Sequence, residues 1–412
     1  MSASRIFLWL AGTALAILVG MASSVIVNQV KRPATSYALG VGPDGTAQGN
    51  LAFATYAARQ QKDPATAVSA EERALAAEAY QREPLSSAAL GILIASMPRD
   101  GEEARVRQAL LDIGGKLTRR SSLITSASIE AAARGGDEEA FFHWLSRATL
   151  TNESLRAAYI QAMAQATARP GAEAILVNVL GPKPTWSDRY WNAVVQVPQS
   201  LVTAAKLRSL VARPPWRQTE ISEADRALAL RLAGAGHFDA VRELAVGLGQ
   251  ARASQRTGNV IVNAQFDRPS SLPPIDWQLA TSGNLGASIN AQSKALIISA
   301  ISGARGYAAR QLVYAEPGAY VLDWALSSNA PLAPDTLEVR LACADAGPAA
   351  GAHVVPLAVG RHQQSISLAS EPCRWFWLEI NVKVADAGAG FDAQIEHLIL
   401  RRESPQDDGA SS

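Results

Sequence analysis

At about Gly258 the spacing of apolar residues changes period, and this change constrains the fold more than any other feature of the chain. Before it, apolar residues recur at i, i+3, i+4 and i+7. Val106, Ala109, Leu110, Ile113 and Leu117 form one set, and Phe141, Trp144, Leu145 and Ala148 another. Leu155, Ala158, Tyr159, Ala162 and Met163 form a third, and Val241, Leu244, Ala245 and Leu248 a fourth. That spacing gathers each set on one face of a helix. After Gly258, Tyr320, Leu322, Trp324 and Leu326 alternate with other residues, as do Leu337, Val339, Leu341 and Cys343, and Phe376, Leu378, Ile380 and Val382. Period two belongs to strands with two unlike faces. The expectation is a multidomain α and β chain: short antiparallel helices over 51–250, then an antiparallel β-sandwich over 258–402. With 412 residues and ~100–200 per domain, both fit.

The N-terminus carries a second constraint. Ile6 to Val27 contains no charge, and 22 helical residues at ~1.5 Å each match a bilayer core of ~30 Å. Trp9 suits an interface, but Arg5 before the run and Lys31 and Arg32 after it leave orientation open. The run reads as a transmembrane helix within residues 1–30. The rival reading is a cleaved signal peptide with its cut near Gly20-Met21-Ala22. Either one exports the remainder. Residues 31–50, rich in Gly, Pro, Ser and Thr, read as a flexible linker, and 403–412 as a disordered tail.

Composition excludes several classes. Lys plus Arg is 38 and Asp plus Glu 37, so no strong basic field attracts nucleic acid. Hydrophobic residues at 48% and charged ones at 18% exclude wholesale disorder. Two cysteines and five scattered histidines exclude zinc clusters and iron–sulfur centres. There is no phosphate loop, no Gly-x-Ser-x-Gly elbow and no His-Glu-x-x-His, so no catalytic residue and no cofactor is assigned. Asp345, Asp386 and Asp392, in turns or at strand ends, are the acids available to a calcium ion, but no metal site is assigned.

Helix punctuation supports the first region. Ser69…Glu72 and Asp100…Glu103 have capping-box spacing, and Gly114-Gly115, Gly135-Gly136 and Gly234 suit helix ends. Ala79-Tyr80-Gln81-Arg82-Glu83-Pro84 resembles the end of a tetratricopeptide repeat, and Gly136-Asp137 followed by Ala140-x-x-x-Trp144 resembles the turn and second helix of another. Pro84 and Asn152 lie 68 residues apart, twice that family's ~34-residue period. The resemblance implies a helical-repeat domain used for protein contact. Trp144, Trp186, Trp191 and Trp216 read as packing residues.

The second region opens with Asn263-Ala-Gln-Phe266-Asp267, then Pro273-Pro274, then Trp277. This resembles the start of galactose-binding-like jelly rolls, which include many carbohydrate-binding modules. Phe391 to Arg402 resembles their last strand, which returns beside the first. The resemblance implies a jelly-roll sandwich and transfers no ligand residues. Cys343 and Cys373 end and begin strands, and in an exported chain they are expected to form a disulfide.

One face stands out. Trp375, Trp377, Glu379 and Asn381 alternate with the core positions of their strand, and an adjacent strand can add Arg340 and Glu338. Indoles can stack on the C–H faces of pyranoses while carboxylate and amide groups take the hydroxyls. The competing reading covers these tryptophans with the helical domain, a loop or a protein partner, or has a bulge invert the assignment. The expected function is therefore non-catalytic binding or scaffolding at a bacterial inner membrane, with the body in the periplasm. The partner is a cell-surface glycan, in polysaccharide assembly or export, or an envelope protein complex. A glycan-active enzyme is the lesser alternative.

Overall fold

A computed structural model describes residues 3–40, 44–250, 258–345, 352–368 and 373–403, with the side chains of residues 3–12, 44 and 282 left aside. Helices α1 to α14 are Ala3–Asn28, Pro33–Leu39, Asp44–Lys62, Ala70–Arg82, Ser87–Ser96, Glu102–Leu117, Ser122–Gly135, Glu138–Thr151, Arg156–Ala166, Ala172–Leu180, Ser187–Val194, Leu201–Ala212, Glu223–Gly234 and Phe238–Gly247. Strands β1 to β11 are Gln278–Leu279, Thr281–Ser282, Leu285–Asn290, Ala295–Ala300, Arg305–Tyr314, Gly318–Ser328, Leu337–Cys343, Ala352–Pro356, Gly360–Leu368, Trp375–Lys383 and Phe391–Arg402. The chain divides into two compact units, 1–163 and 164–412. Helices α10 to α14 therefore share a unit with the sandwich, whereas the periodicity grouped them with the earlier helices.

In the first unit the apolar run over Ile6–Val27 is helical within α1. The transmembrane helix expected there is not found: among the described residues no helix is long and apolar enough to cross a membrane. The last turns of α1 belong to the folded unit. Val25 is buried, its carbonyl accepts from the Ser36 hydroxyl, and Asn50 Nδ2 donates to the Gln29 carbonyl. The linker expected over 31–50 is corrected in the same way, since α2 and the first turns of α3 occupy much of it. Gly45 and Gly49 serve close packing rather than freedom. A Cβ on Gly45 would lie 2.8 Å from the Glu83 Cβ, and one on Gly49 would lie 2.6 Å from the Ser86 Oγ. Gly114 and Gly115, expected at a helix end, lie inside α6 for the same reason, against Ile124 and the Trp144 ring.

The Ser69–Glu72 capping box forms with both of its bonds. The Asp100–Glu103 box does not, because Gly101 occupies the N-cap of α6. In α6 the fully buried residues are Arg107, Leu111 and Gly114; of the expected stripe, Leu110 and Leu117 pack against the core, while Val106 and Ile113 are exposed. The tail proposed for 403–412 lies outside the described residues beyond Glu403.

In the second unit two antiparallel sheets face each other. One has the order β1-β5-β10-β7-β8 and the other β2-β3-β4-β11-β6-β9. The inward positions carry the expected alternation: Leu378, Ile380, Leu322, Trp324, Leu337 and Val339 are all buried in one core. The closing strand β11 does return beside the opening segment. Asn259 bridges Arg401, and the Val260 and Leu398 amides donate to the Leu400 and Ala264 carbonyls. The result is a jelly-roll-like β-sandwich.

Cys343 and Cys373 form a disulfide with Cα atoms 5.8 Å apart and a sequence separation of 30. Closing a loop of that length removes unfolded-state entropy equivalent to ~3–4 kcal/mol. Replacing both cysteines by serine should lower the stability of the sandwich by about that amount, read as an earlier denaturant midpoint. An unchanged midpoint would show that the crosslink adds nothing to this fold.

Candidate functional site

Strand β10 sits between β5 and β7, so its outward residues are the centre of a three-strand surface. Phe376, Leu378, Ile380 and Val382 are buried, as their alternation requires, and Trp375, Trp377, Glu379 and Asn381 take the opposite face. Register then assembles rows across the sheet. Glu379 lies between Arg310 and Arg340, and Asn381 between Tyr307 and Glu338. Opposite Ile380 and Asn381 the register of β5 shifts by one residue. This bulge re-aims the strand and brings Tyr307 to the same face as Arg310.

The Arg310 guanidinium lies 4.4 Å from the Tyr307 ring centroid and 4.7 Å from that of Trp377, and its Nε donates to Gln278 Oε1 at 2.9 Å. Cation–π contact and the hydrogen bond hold three planar groups as one half-buried assembly. Beside it a groove of about 390 Å³ is lined by Arg305, Tyr307, Glu338, Arg340, Glu379 and Asn381, with Lys383 at its end. Arg305 pairs with Asp386 at 3.6 Å, while Glu338, Glu379 and Arg340 have no carboxylate or cation within salt-bridge distance among the described residues.

Of the residues singled out from sequence, Glu379, Asn381 and Arg340 line this groove, and Trp377 stands next to it against Arg310. Trp375 does not belong to the open face. It is 4% exposed, its ring meets Phe238 of α14 at 6.0 Å and Tyr314 at 5.3 Å, and its Nε1 donates to Asp239 Oδ1 at 3.3 Å. Helix α14 covers it, so its burial requires no partner molecule. Sequence reasoning missed Tyr307, Arg310, Arg305 and Lys383. The bulge inverts the alternation at Ala308-Ala309, and no one-strand pattern reveals which residues the register sets beside β10.

The motif that carries the jelly-roll resemblance is scaffolding. Phe266 and Trp277 are fully buried with ring centroids 5.5 Å apart, and Trp277 Nε1 donates to the Asn263 carbonyl. Buried Gln311 on β5 holds the same opening segment, donating to the Val262 carbonyl and accepting from its amide. The three acids considered for calcium are employed separately. Asp345 accepts from the Arg374 and Trp375 amides, Asp386 faces Arg305, and Asp392 accepts from Ser299 and Asn329. The one cluster with metal-ligand types among the described residues is Cys343, Asp345 and Cys373, and its thiols are spent in the disulfide.

No protein-family model matches the chain, and no curated protein matches it. Solved structures share a local likeness with it. A carbohydrate-binding module titled CBM4 is 12% identical, covering 35% of this chain and 99% of its own, with a TM-score of 0.27. TmCBM61, solved with beta-1,4-galactotriose, is 14% identical over 35% of this chain and 99% of its own, with a TM-score of 0.25. A variant of a family 29 carbohydrate-binding module is 13% identical over 34% and 82%, with a TM-score of 0.21. At these scores the likeness carries no argument, and what this chain binds has to be read from its own residues.

Proposed function

We propose that the open face of the five-stranded sheet binds a polysaccharide. The chain is then a non-catalytic accessory factor in assembly or export of a cell-surface glycan. The observation that carries this reading is the Tyr307–Arg310–Trp377 assembly beside a groove lined by Glu338, Arg340, Glu379 and Asn381. Rings offer apolar surface to sugar C–H faces, and the flanking carboxylates, amide and guanidinium supply both acceptors and donors for hydroxyls. An open sheet face encloses little of a ligand, so binding is weak at one site and gains strength when a polymer engages many copies.

Two observations support placement in the periplasm. One is the uncharged run itself, and the other is the disulfide, which suits an oxidising compartment. The paired helices support a protein-contact role on the tetratricopeptide pattern. Helices α7 and α9 begin at 122 and 156, and α8 and α10 at 138 and 172, intervals of 34 in each case.

The test is affinity electrophoresis of the intact chain through gels containing neutral or acidic bacterial surface polysaccharides. At least one polymer should retard it. The Trp377→Ala/Arg340→Ala variant should lose roughly tenfold in apparent affinity. A variant with Phe at Trp375, which lies under α14, should keep it. No retardation by any polymer would end the glycan reading. Release of new reducing ends from a retarding polymer would replace the binder by an enzyme using Glu338 and Glu379.

A further inference from the structure

The first unit holds a site of different chemistry. Helices α6, α7 and α8 enclose a groove of about 750 Å³, far larger than the one on the sheet. Three cations, Lys116, Arg119 and Arg147, line it, with the half-buried Trp144 ring beside Gly115. None of the three has a carboxylate within salt-bridge distance among the described residues. Several other cations of this unit do find acids: Arg59 meets Glu72, Arg82 meets Glu78, and Arg99, Arg107 and Arg134 all meet Glu130.

Lys116 has a local reason to be there, since it lies in the last turn of α6 and complements the helix dipole. Arg119 lies beyond that helix, and Arg147 projects from α8 with its guanidinium 5.0 Å from the Trp144 ring centroid. Burial and then the charge of Arg119 lower the Arg147 pKa. Burial and then the Arg147 charge likewise hold the neighbouring His143 below its ordinary range, with Arg119 adding to this and Glu139 opposing it. Two like charges lining one open groove are an unfavourable arrangement for the empty protein, and an anion would relieve it.

The two acids on the groove narrow the class of anion. Asp112 accepts from Gln108, and Asp137 caps α8 through the Ala140 amide; each keeps a carboxylate oxygen for a further donor. A polymer charged at every unit would set anions against these acids. An extended peptide instead alternates its side chains and carries N–H donors, so it can offer carboxylates to the arginines and amides to the aspartates. We propose that this groove binds an acidic, extended peptide segment of a partner protein, with a carboxylate held between Arg119 and Arg147. The sheet-face reading plays no part in this argument.

The test uses the intact chain and a fluorescent alternating Glu-Gly decapeptide, with the Lys-Gly decapeptide as control, followed by anisotropy at low salt. Saturable binding of the acidic peptide alone is expected, falling as salt rises. Arg147→Gln should weaken it roughly tenfold, and the Arg119→Gln/Arg147→Gln pair more. Both variants should stay folded and melt close to the wild type, because neither side chain has an ion-pair partner to lose and the lost Arg147–Trp144 contact is offset by relief of like-charge repulsion. Absence of saturable binding, or equal binding by the double variant, would overturn the proposal. So would an oligouronate that binds with the same dependence on the arginines when the peptide does not, which would make the groove an anionic-glycan site.

Discussion

Asp225→Ala should destabilise the second unit by about 3–5 kcal/mol, the range for removing one partner of a buried ion pair. Asp225 and Arg208 side chains are 2% and 5% exposed. Arg208 Nε and Nη2 reach the two carboxylate oxygens at 2.7 and 3.1 Å, a bidentate arrangement. The guanidinium also donates to the Gln218 and Glu220 carbonyls. Asp225 in turn accepts from the Ser222 amide and hydroxyl, completing the capping box at the start of α13. Alanine there strands a buried cation and opens the helix cap together. Ser222→Ala loses only the cap and should cost about 1 kcal/mol. Urea unfolding of the two variants separates them: similar small losses would mean that the pair contributes no more than a surface bridge.

Trp277→Ala should cost a comparable ~3–5 kcal/mol, because a fully buried ring leaves a cavity that its neighbours fill only in part. Its ring packs on Phe266 and its indole nitrogen holds the Asn263 carbonyl, so the opening segment of the sandwich depends on it. Trp377→Ala should cost clearly less, since that ring is only partly buried, at the surface of the sheet, and its loss opens to solvent rather than leaving an enclosed cavity. The two tryptophans thus divide stability from binding. If Trp277→Ala unfolded no earlier than Trp377→Ala, the motif would not be the scaffold described above.

Much of this architecture is legible in the chain. The change of period at Gly258 marks helices and strands because each element buries one face. The alternation over Trp375 to Val382 gives the right inward residues because β10 is flanked on both sides and covered on one face. Most of the failures share a cause: they concern contacts between segments distant in sequence. Gly45 and Gly49 look like a linker until α4 and α5 press against them. Val106 and Ile113 look like a core stripe, but the buried turn of α6 is rotated toward Arg107 and Leu111. Trp375 looks like a platform residue until α14 lies on it. For the candidate site, Trp377, Glu379, Asn381 and Arg340 follow from alternation and one neighbouring strand. Tyr307 and Arg310 depend on a bulge, and a bulge leaves no periodic mark.

The central claim is that the open sheet face is the binding surface, and hydroxyl-radical footprinting of the intact chain tests it most directly. Oxidation of each aromatic side chain is compared with and without a saturating polysaccharide that retards the chain. The account predicts protection of Trp377 and Tyr307 and no change at Trp144, which lies in the other unit. Full oxidation of Trp377 and Tyr307 in the presence of bound polysaccharide would contradict it and place the glycan elsewhere on the molecule.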